Sequence, residues 1–174
     1  MNIALIGPRG VGKSKISRKL SKLISMPVVS TDMISVYETC LSIPDQIEKA
    51  NGKWNEFREL EYQILFKLKN SKNIILDCGG GILFDVDING NEFYSEKKVS
   101  LLKSYTKVIC LNQSLDYLIE KVINDQDRPE LSKINSYREI LVRRLPYYKQ
   151  ASDIFLEVED IDVKEVAKKI SNLI

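Results

Sequence analysis

Between Gly7 and Ser14 the chain reads Gly-Pro-Arg-Gly-Val-Gly-Lys-Ser. The spacing of Gly7, four residues and then Gly12-Lys13-Ser14 is that of a phosphate-binding P-loop. Each residue type has a chemical reason. Glycine admits backbone angles closed to other residues and lets the main chain approach a ligand closely. The N–H groups of Gly10, Val11, Gly12, Lys13, Ser14 and Lys15, at the start of a helix, can then form a cradle for polyphosphate. The Lys13 ammonium bridges terminal phosphates, and the Ser14 hydroxyl ligates the Mg²⁺ that accompanies a nucleotide such as ATP. A glycine-rich turn before a helix is the plainer alternative, and the apolar run Ile3–Ile6 ahead of the loop argues against it. The chain has no histidine, so any acid–base work falls to a carboxylate, a lysine or a tyrosine.

The elements that would position these groups follow from periodicity. Residues 2–6 predict a buried strand, and Ile16, Leu20, Leu23 and Ile24 form a helical stripe over residues 14–25. A short strand at 27–30 leads into a helix that Thr31 or Asp32 would cap, and Pro44 and Gly52 bracket a further short helix. Phe57, Leu60, Ile64, Leu65 and Leu68 mark an amphipathic helix over 54–68, followed by a strand at 73–77 that runs into Gly79-Gly80-Gly81. Residues 82–94 are irregular around Asn89-Gly90, a hairpin-turn signal. Helix 95–104, strand 107–111 and helix 115–123 come next. Residues 124–135 are polar and carry Pro129 and no periodicity, which predicts a mobile loop. Helix 137–148, strand 153–158 and helix 163–173 complete the chain. Strands alternating with helices predict an α/β fold with a five-stranded parallel sheet covered on both faces, its site beyond the carboxyl ends of the strands.

Composition sets the outer bounds. At 174 residues, 44% of them hydrophobic, the chain fits one soluble domain with a real core. Its 26 basic and 24 acidic residues leave a net charge of +2, too even for a nucleic-acid or membrane surface built on bulk electrostatics. No apolar run reaches spanning length, and a strand already begins near residue 2, so the expectation is a cytosolic protein without a signal peptide. Cys40, Cys78 and Cys110 lack metal spacing and read as reduced, buried thiols. Nothing demands more than a monomer.

Taken one at a time, the remaining polar residues have plain explanations. Asp32 could be a helix cap, Arg58 and Glu61 an exposed ion pair, Gly79–Gly81 a tight turn, and Arg144 a solvated helix charge. Taken together, their order and spacing are more specific. The P-loop, Asp32, Phe57-Arg58-Glu-Leu-Glu61, Gly79-Gly-Gly81, Arg128-Pro129 and Arg144-Leu-Pro-Tyr-Tyr148 resemble the shikimate kinases over essentially the whole chain. That resemblance implies a three-layer α/β/α P-loop fold of the nucleoside-monophosphate-kinase type and transfer of the ATP γ-phosphoryl to a hydroxyl of shikimate, in aromatic amino-acid biosynthesis. It implies a single domain with a substrate-binding region at about residues 32–62 and a lid at about 124–135. Arg58, Arg144 and the N–H groups of Gly79, Gly80 and Gly81 would hold the substrate carboxylate, with Glu61 anchoring Arg58. A planar guanidinium suits that task because it pairs bidentately with a carboxylate. Asp32 would bind the ring hydroxyls and take the proton. Arg128 would reach the phosphates from the lid, and Lys121 stands where the family usually has a nucleotide-contacting arginine.

Two departures qualify the resemblance. The family usually carries Asp-x-Asp after the second strand, the first aspartate supporting Mg²⁺; here the segment is Ser30-Thr31-Asp32. Asp77, ending an apolar strand where other P-loop enzymes carry a metal-supporting aspartate, could replace it or could only cap the turn that follows. The polar stretch 85–96 is longer than usual and could cover the site or form an inert surface hairpin. A kinase for another hydroxy acid such as gluconate, or a catalytically silent nucleotide-binding module, are the alternatives these departures leave open.

Overall fold

The computed structural model describes residues 1–123, 137–159 and 161–174; the expected lid and Arg128 lie outside the described residues. In chain order the elements are β1 (Asn2–Ile6), α1 (Lys13–Ile24), β2 (Val28–Ser30), α2 (Thr31–Thr39), α3 (Ile43–Lys49), α4 (Asn55–Leu68) and β3 (Ile75–Asp77). A hairpin of β4 (Phe84–Val86) and β5 (Glu92–Tyr94) follows, then α5 (Glu96–Tyr105), β6 (Thr106–Asn112), α6 (Leu115–Ile123), α7 (Tyr137–Ala151), β7 (Ile154–Glu157) and α8 (Val163–Ser171).

Five strands form a parallel sheet in the order β2-β3-β1-β6-β7. The central strand β1 is buried along its whole length, as a sheet covered on both faces requires. Its side chains alternate between two cores. Ala4 and Ile6 join Leu76, Val108 and Cys110 of the neighbouring strands against Leu65 of α4 and Leu102 of α5. Ile3 and Leu5 join Ile75, Ile109 and Leu111 against Ile16 and Leu20 of α1 and Val166 and Ile170 of α8. This is the expected three-layer α/β/α arrangement. It leaves the carboxyl ends of β1, β2 and β3 side by side, with the P-loop, Asp32 and the triple glycine immediately beyond them.

Two local readings are corrected. The cap of α2 is Ser30, whose hydroxyl oxygen accepts from Met33 N at 3.4 Å; Thr31 and Asp32 lie within the first turn. Cys40 is exposed at the left-handed C-cap of that helix (φ 56°), so only Cys78 and Cys110 are buried thiols. Burial pushes the Cys78 thiol well up and that of Cys110 to about 12, which leaves both protonated and inert. The hairpin turn signalled at Asn89-Gly90 is present, although Asn89 does not take the positive φ of a two-residue Asn-Gly turn. The loop is three residues long instead. Gly90 N bonds Asp87 O at 3.0 Å, Gly90 carries the positive φ of 84°, and the Asp87 carboxylate accepts from Asn89 N and Asn91 N.

Candidate active site

The P-loop closes tightly against the sheet. Gly7 sits at φ 137°, and a Cβ there would run into the carbonyl of Leu111 on β6, so only glycine fits. Lys13 is buried and its ammonium donates to the carbonyls of Gly7 and Pro8, both at 2.9 Å, which ties the two ends of the loop together. At the start of α1 the Gly12 carbonyl accepts from Lys15 N and Ile16 N, both at 3.0 Å, and the helix start at Lys13 and Ser14 lines the loop's cavity. The loop opens on a cavity of about 930 Å³ lined by residues 9–18 and by Ser30, Asp32, Asp77 and Lys121, among others. Lys121 lies with its ammonium 5.3 Å from the Tyr117 ring centre, at the edge of this cavity.

A second, narrower cavity of about 60 Å³ lies beside it, lined by Trp54, Phe57, Arg58, Glu61, Arg144 and the three glycines. Arg9, Asp32, Gly79 and Gly80 belong to both walls. Each glycine of the triplet makes room for one functional neighbour. A Cβ on Gly79 would overlap the Asp32 carboxylate, one on Gly80 would come within 3.2 Å of Arg9 N, and one on Gly81 would overlap the Arg58 guanidinium. The loop is also tethered to α2, since Gly79 N donates to the buried Thr31 hydroxyl at 3.0 Å. The triplet is therefore the surface against which Asp32, the P-loop and Arg58 are packed.

Arg58 and Glu61 are not an exposed pair. They are 4% and 2% exposed, and Arg58 Nη1 donates to both Glu61 oxygens at 3.0 and 2.9 Å. The guanidinium lies 5.0 Å from the Trp54 ring centre, and its Nε is buried without a partner on the side of the cavity wall. Glu61 is shared with a second cation that periodicity did not single out. Lys98 of α5 is wholly buried and donates to Glu61 Oε2 at 3.0 Å and to Phe84 O at 2.9 Å, and it pairs with Asp85 Oδ1 at 2.8 Å. Ser95 completes the chain by donating to Asp85 Oδ2 at 2.7 Å. Burial alone would raise the Asp85 carboxyl, but the bonds from Lys98 and Ser95 outweigh it and hold the group below its ordinary value.

Arg144 is likewise buried, at 3% exposure, and the hairpin supports it with both strands. Phe84 of β4 lies under the guanidinium, 4.8 Å from ring centre to Cζ. Glu92 of β5 accepts from Nε at 2.9 Å and from Nη2 in a still shorter contact. Tyr148, one turn on, donates to the carbonyl of Gly80, and burial pushes its hydroxyl up to about 12, so it stays a donor. The stretch read as either cover or inert hairpin is thus part of the wall behind Arg144.

Ser30 and Asp77 are directly paired across β2 and β3, and both line the larger cavity with Ser14. Among the described residues no cluster of three or more His, Cys, Asp or Glu side chains could hold a metal ion without further ligands. One hydroxyl, one carboxylate and a polyphosphate are nonetheless a donor set that suits Mg²⁺, which keeps several waters and uses few protein ligands. No helix among the described residues is long and apolar enough to cross a membrane.

Residues 9–174 match the family model described as shikimate kinase. A curated shikimate kinase of Leptospira borgpetersenii is 59% identical, over 97% of this chain and 95% of its own length. One of Leptospira biflexa is 53% identical, over 98% and 93%. Among solved structures, the shikimate kinase of Acinetobacter baumannii in complex with shikimate superposes with a TM-score of 0.82 at 26% identity, covering 99% of this chain and 91% of that one. That of Aquifex aeolicus gives 0.76 at 25% identity, with 99% and 95% covered.

Proposed function

The chain belongs to the shikimate kinase family and phosphorylates a hydroxyl of shikimate with ATP, and we propose how its own residues divide that work. The P-loop N–H groups from Gly10 to Lys15 and the Lys13 ammonium bind the nucleotide phosphates. Arg58, Arg144 and the glycine loop bind the shikimate carboxylate. Asp32 accepts the proton of the attacking hydroxyl. The observation that carries this division is the common wall of the two cavities, since Asp32 borders both the phosphate side and the arginine side. In-line phosphoryl transfer needs a base at that junction and little covalent chemistry elsewhere, so alignment and charge neutralisation dominate. The assay is coupled ADP release with ATP and Mg²⁺. Release that depends on shikimate and not on gluconate is expected; release with gluconate alone would reassign the acceptor.

The acceptor clamp gives a specific prediction. Arg58→Ala removes a charge-assisted bidentate partner from a buried site, where such a loss amounts to about 2–3 kcal/mol, or roughly a hundredfold in affinity. The KM for shikimate should rise by about that factor while the KM for ATP stays within about twofold. Equal losses for both ligands would remove Arg58 from the clamp.

For the metal, we propose that Ser14 and Asp77 support Mg²⁺, Asp77 supplying the carboxylate that Ser30 lacks. When bound, the ion neutralises phosphate charge as it develops. The pairing of Ser30 with Asp77 across neighbouring strands supports the exchange of roles. Asp77→Asn should raise the Mg²⁺ concentration needed for half-maximal turnover by about tenfold. Adding Ser30→Asp should recover part of it, because aspartate also caps α2 well. Normal Mg²⁺ dependence in Asp77→Asn would rule the role out.

A further inference from the structure

We propose that Glu92, delivered by the β4–β5 hairpin, is a positioning residue of the acceptor site that fixes Arg144 with one edge of its guanidinium turned toward the substrate carboxylate. The proposal rests on Arg144 belonging to the acceptor clamp.

A guanidinium carries five N–H groups in a rigid fork. Glu92 takes the side edge, through Nε at 2.9 Å and through Nη2. Nη1 is left on the side of the glycine loop, 3.4 Å from Gly80 O, and Arg144 lines the narrow cavity together with that loop. Nη1 gives one proton to Gly80 O, so the end-on edge we assign to a second carboxylate is the other Nη1 proton with the remaining Nη2 proton. Phe84 beneath the group fixes the plane itself. Ordering a free arginine side chain on binding costs about 2 kcal/mol of rotamer entropy, and a preformed pair removes most of that cost.

A carboxylate beside the site would by itself repel an anionic substrate. The structure offsets it. Arg143 Nη2 donates to the same Glu92 Oε1 at 3.1 Å, so two cations surround one anion and the cluster keeps a net positive charge. The other clamp arginine has the same construction, with Lys98 sharing Glu61 behind Arg58. Each arginine is thus held by a glutamate, and each glutamate is neutralised by a second cation.

The test is steady-state kinetics on Glu92→Gln with shikimate and with an acceptor analogue whose carboxylate is reduced to a hydroxymethyl group. The KM for shikimate should rise about tenfold, kcat and the KM for ATP should stay within about threefold, and the KM for the analogue should not change. A purely structural role would impair both acceptors alike and would overturn the proposal, as would an unchanged KM. A fall in KM would show that Glu92 competes with the substrate carboxylate, and it overturns the proposal too. Should Glu92→Gln fail to fold by thermal melting, Arg143→Gln carries the test. It leaves Glu92 with Arg144 alone and removes the cluster's net positive charge, so the KM for shikimate should rise about threefold with the analogue unaffected; no difference between the two acceptors again overturns it. Arg144→Met separates the two layers of the argument. If it leaves the KM for shikimate unchanged, the clamp assignment itself fails; if it raises that KM while Glu92→Gln does not, only the positioning role fails.

Discussion

Asp32→Asn should lower kcat by about 10²–10⁴ while leaving the KM values for ATP and shikimate within a few-fold of the parent enzyme. The substitution keeps the shape of the side chain and removes its charge and its ability to take a proton. Among the described residues, the wall common to both cavities offers no substitute. There is no histidine in the chain, the two cavities share only Arg9, Asp32, Gly79 and Gly80, and of these Asp32 alone can act as a base. Its position is fixed by Gly79, against which the carboxylate packs with no space for a Cβ, and by the Ser30 cap that starts its helix. Gly79→Ala should therefore act on the same step by displacing Asp32. A loss below about tenfold in Asp32→Asn would point elsewhere: in a loose transition state the hydroxyl proton can leave late, and Asp32 would then serve chiefly to orient the acceptor.

What was legible in the sequence follows the range of the interactions involved. The P-loop and the five parallel strands are local signals, set by apolar runs and by a motif eight residues long, and they stand in the structure where the pattern put them. Arg58 and Arg144 could be singled out only through family spacing, because each alone has an ordinary surface explanation, whereas the lack of histidine also points to Asp32 as a base. Glu61 came with Arg58 in the same motif, but the partners from other elements could not be found that way. Lys98 meets Glu61 across 37 residues and Arg144 meets Glu92 across 52, and both partners sit in stretches that look like solvated charge. The signal was present in one form: an acidic residue in a strand too short to alternate cleanly, beside an oversized polar insertion. Ser30 shows the reverse case. It was read as a lost metal ligand, and its own chemistry at that position is helix capping.

Lys98→Met should destabilise the fold by about 3–5 kcal/mol, a large share of the roughly 5–15 kcal/mol typical of a domain. Methionine nearly matches lysine in length and volume, so the loss would come from charge and not from a cavity. The lysine has no exposed surface, and its ammonium contacts Glu61, Asp85 and the carbonyl of Phe84 at 2.8–3.0 Å. Without it, Glu61 keeps Arg58, while Asp85 keeps only the Ser95 hydroxyl and the more distant, half-exposed Lys97 at 3.7 Å. In urea titration the midpoint should fall with the slope unchanged. The pH dependence identifies the cause. Asp85 has a lowered value in the parent protein, so its contribution is present above the unfolded carboxyl value near 3.8 and is lost as pH falls through the folded value. In Lys98→Met the Asp85 carboxyl loses the bond that holds it low, and burial then favours its neutral form. The stability gap between variant and parent should therefore narrow as pH drops toward 4. Lys98→Met with Asp85→Asn should recover part of the loss at neutral pH, since the amide removes the carboxylate that lost its close cation. A loss under about 1 kcal/mol, or one independent of pH, would mean that water reaches Lys98 and that the network behind Arg58 is not held by charge.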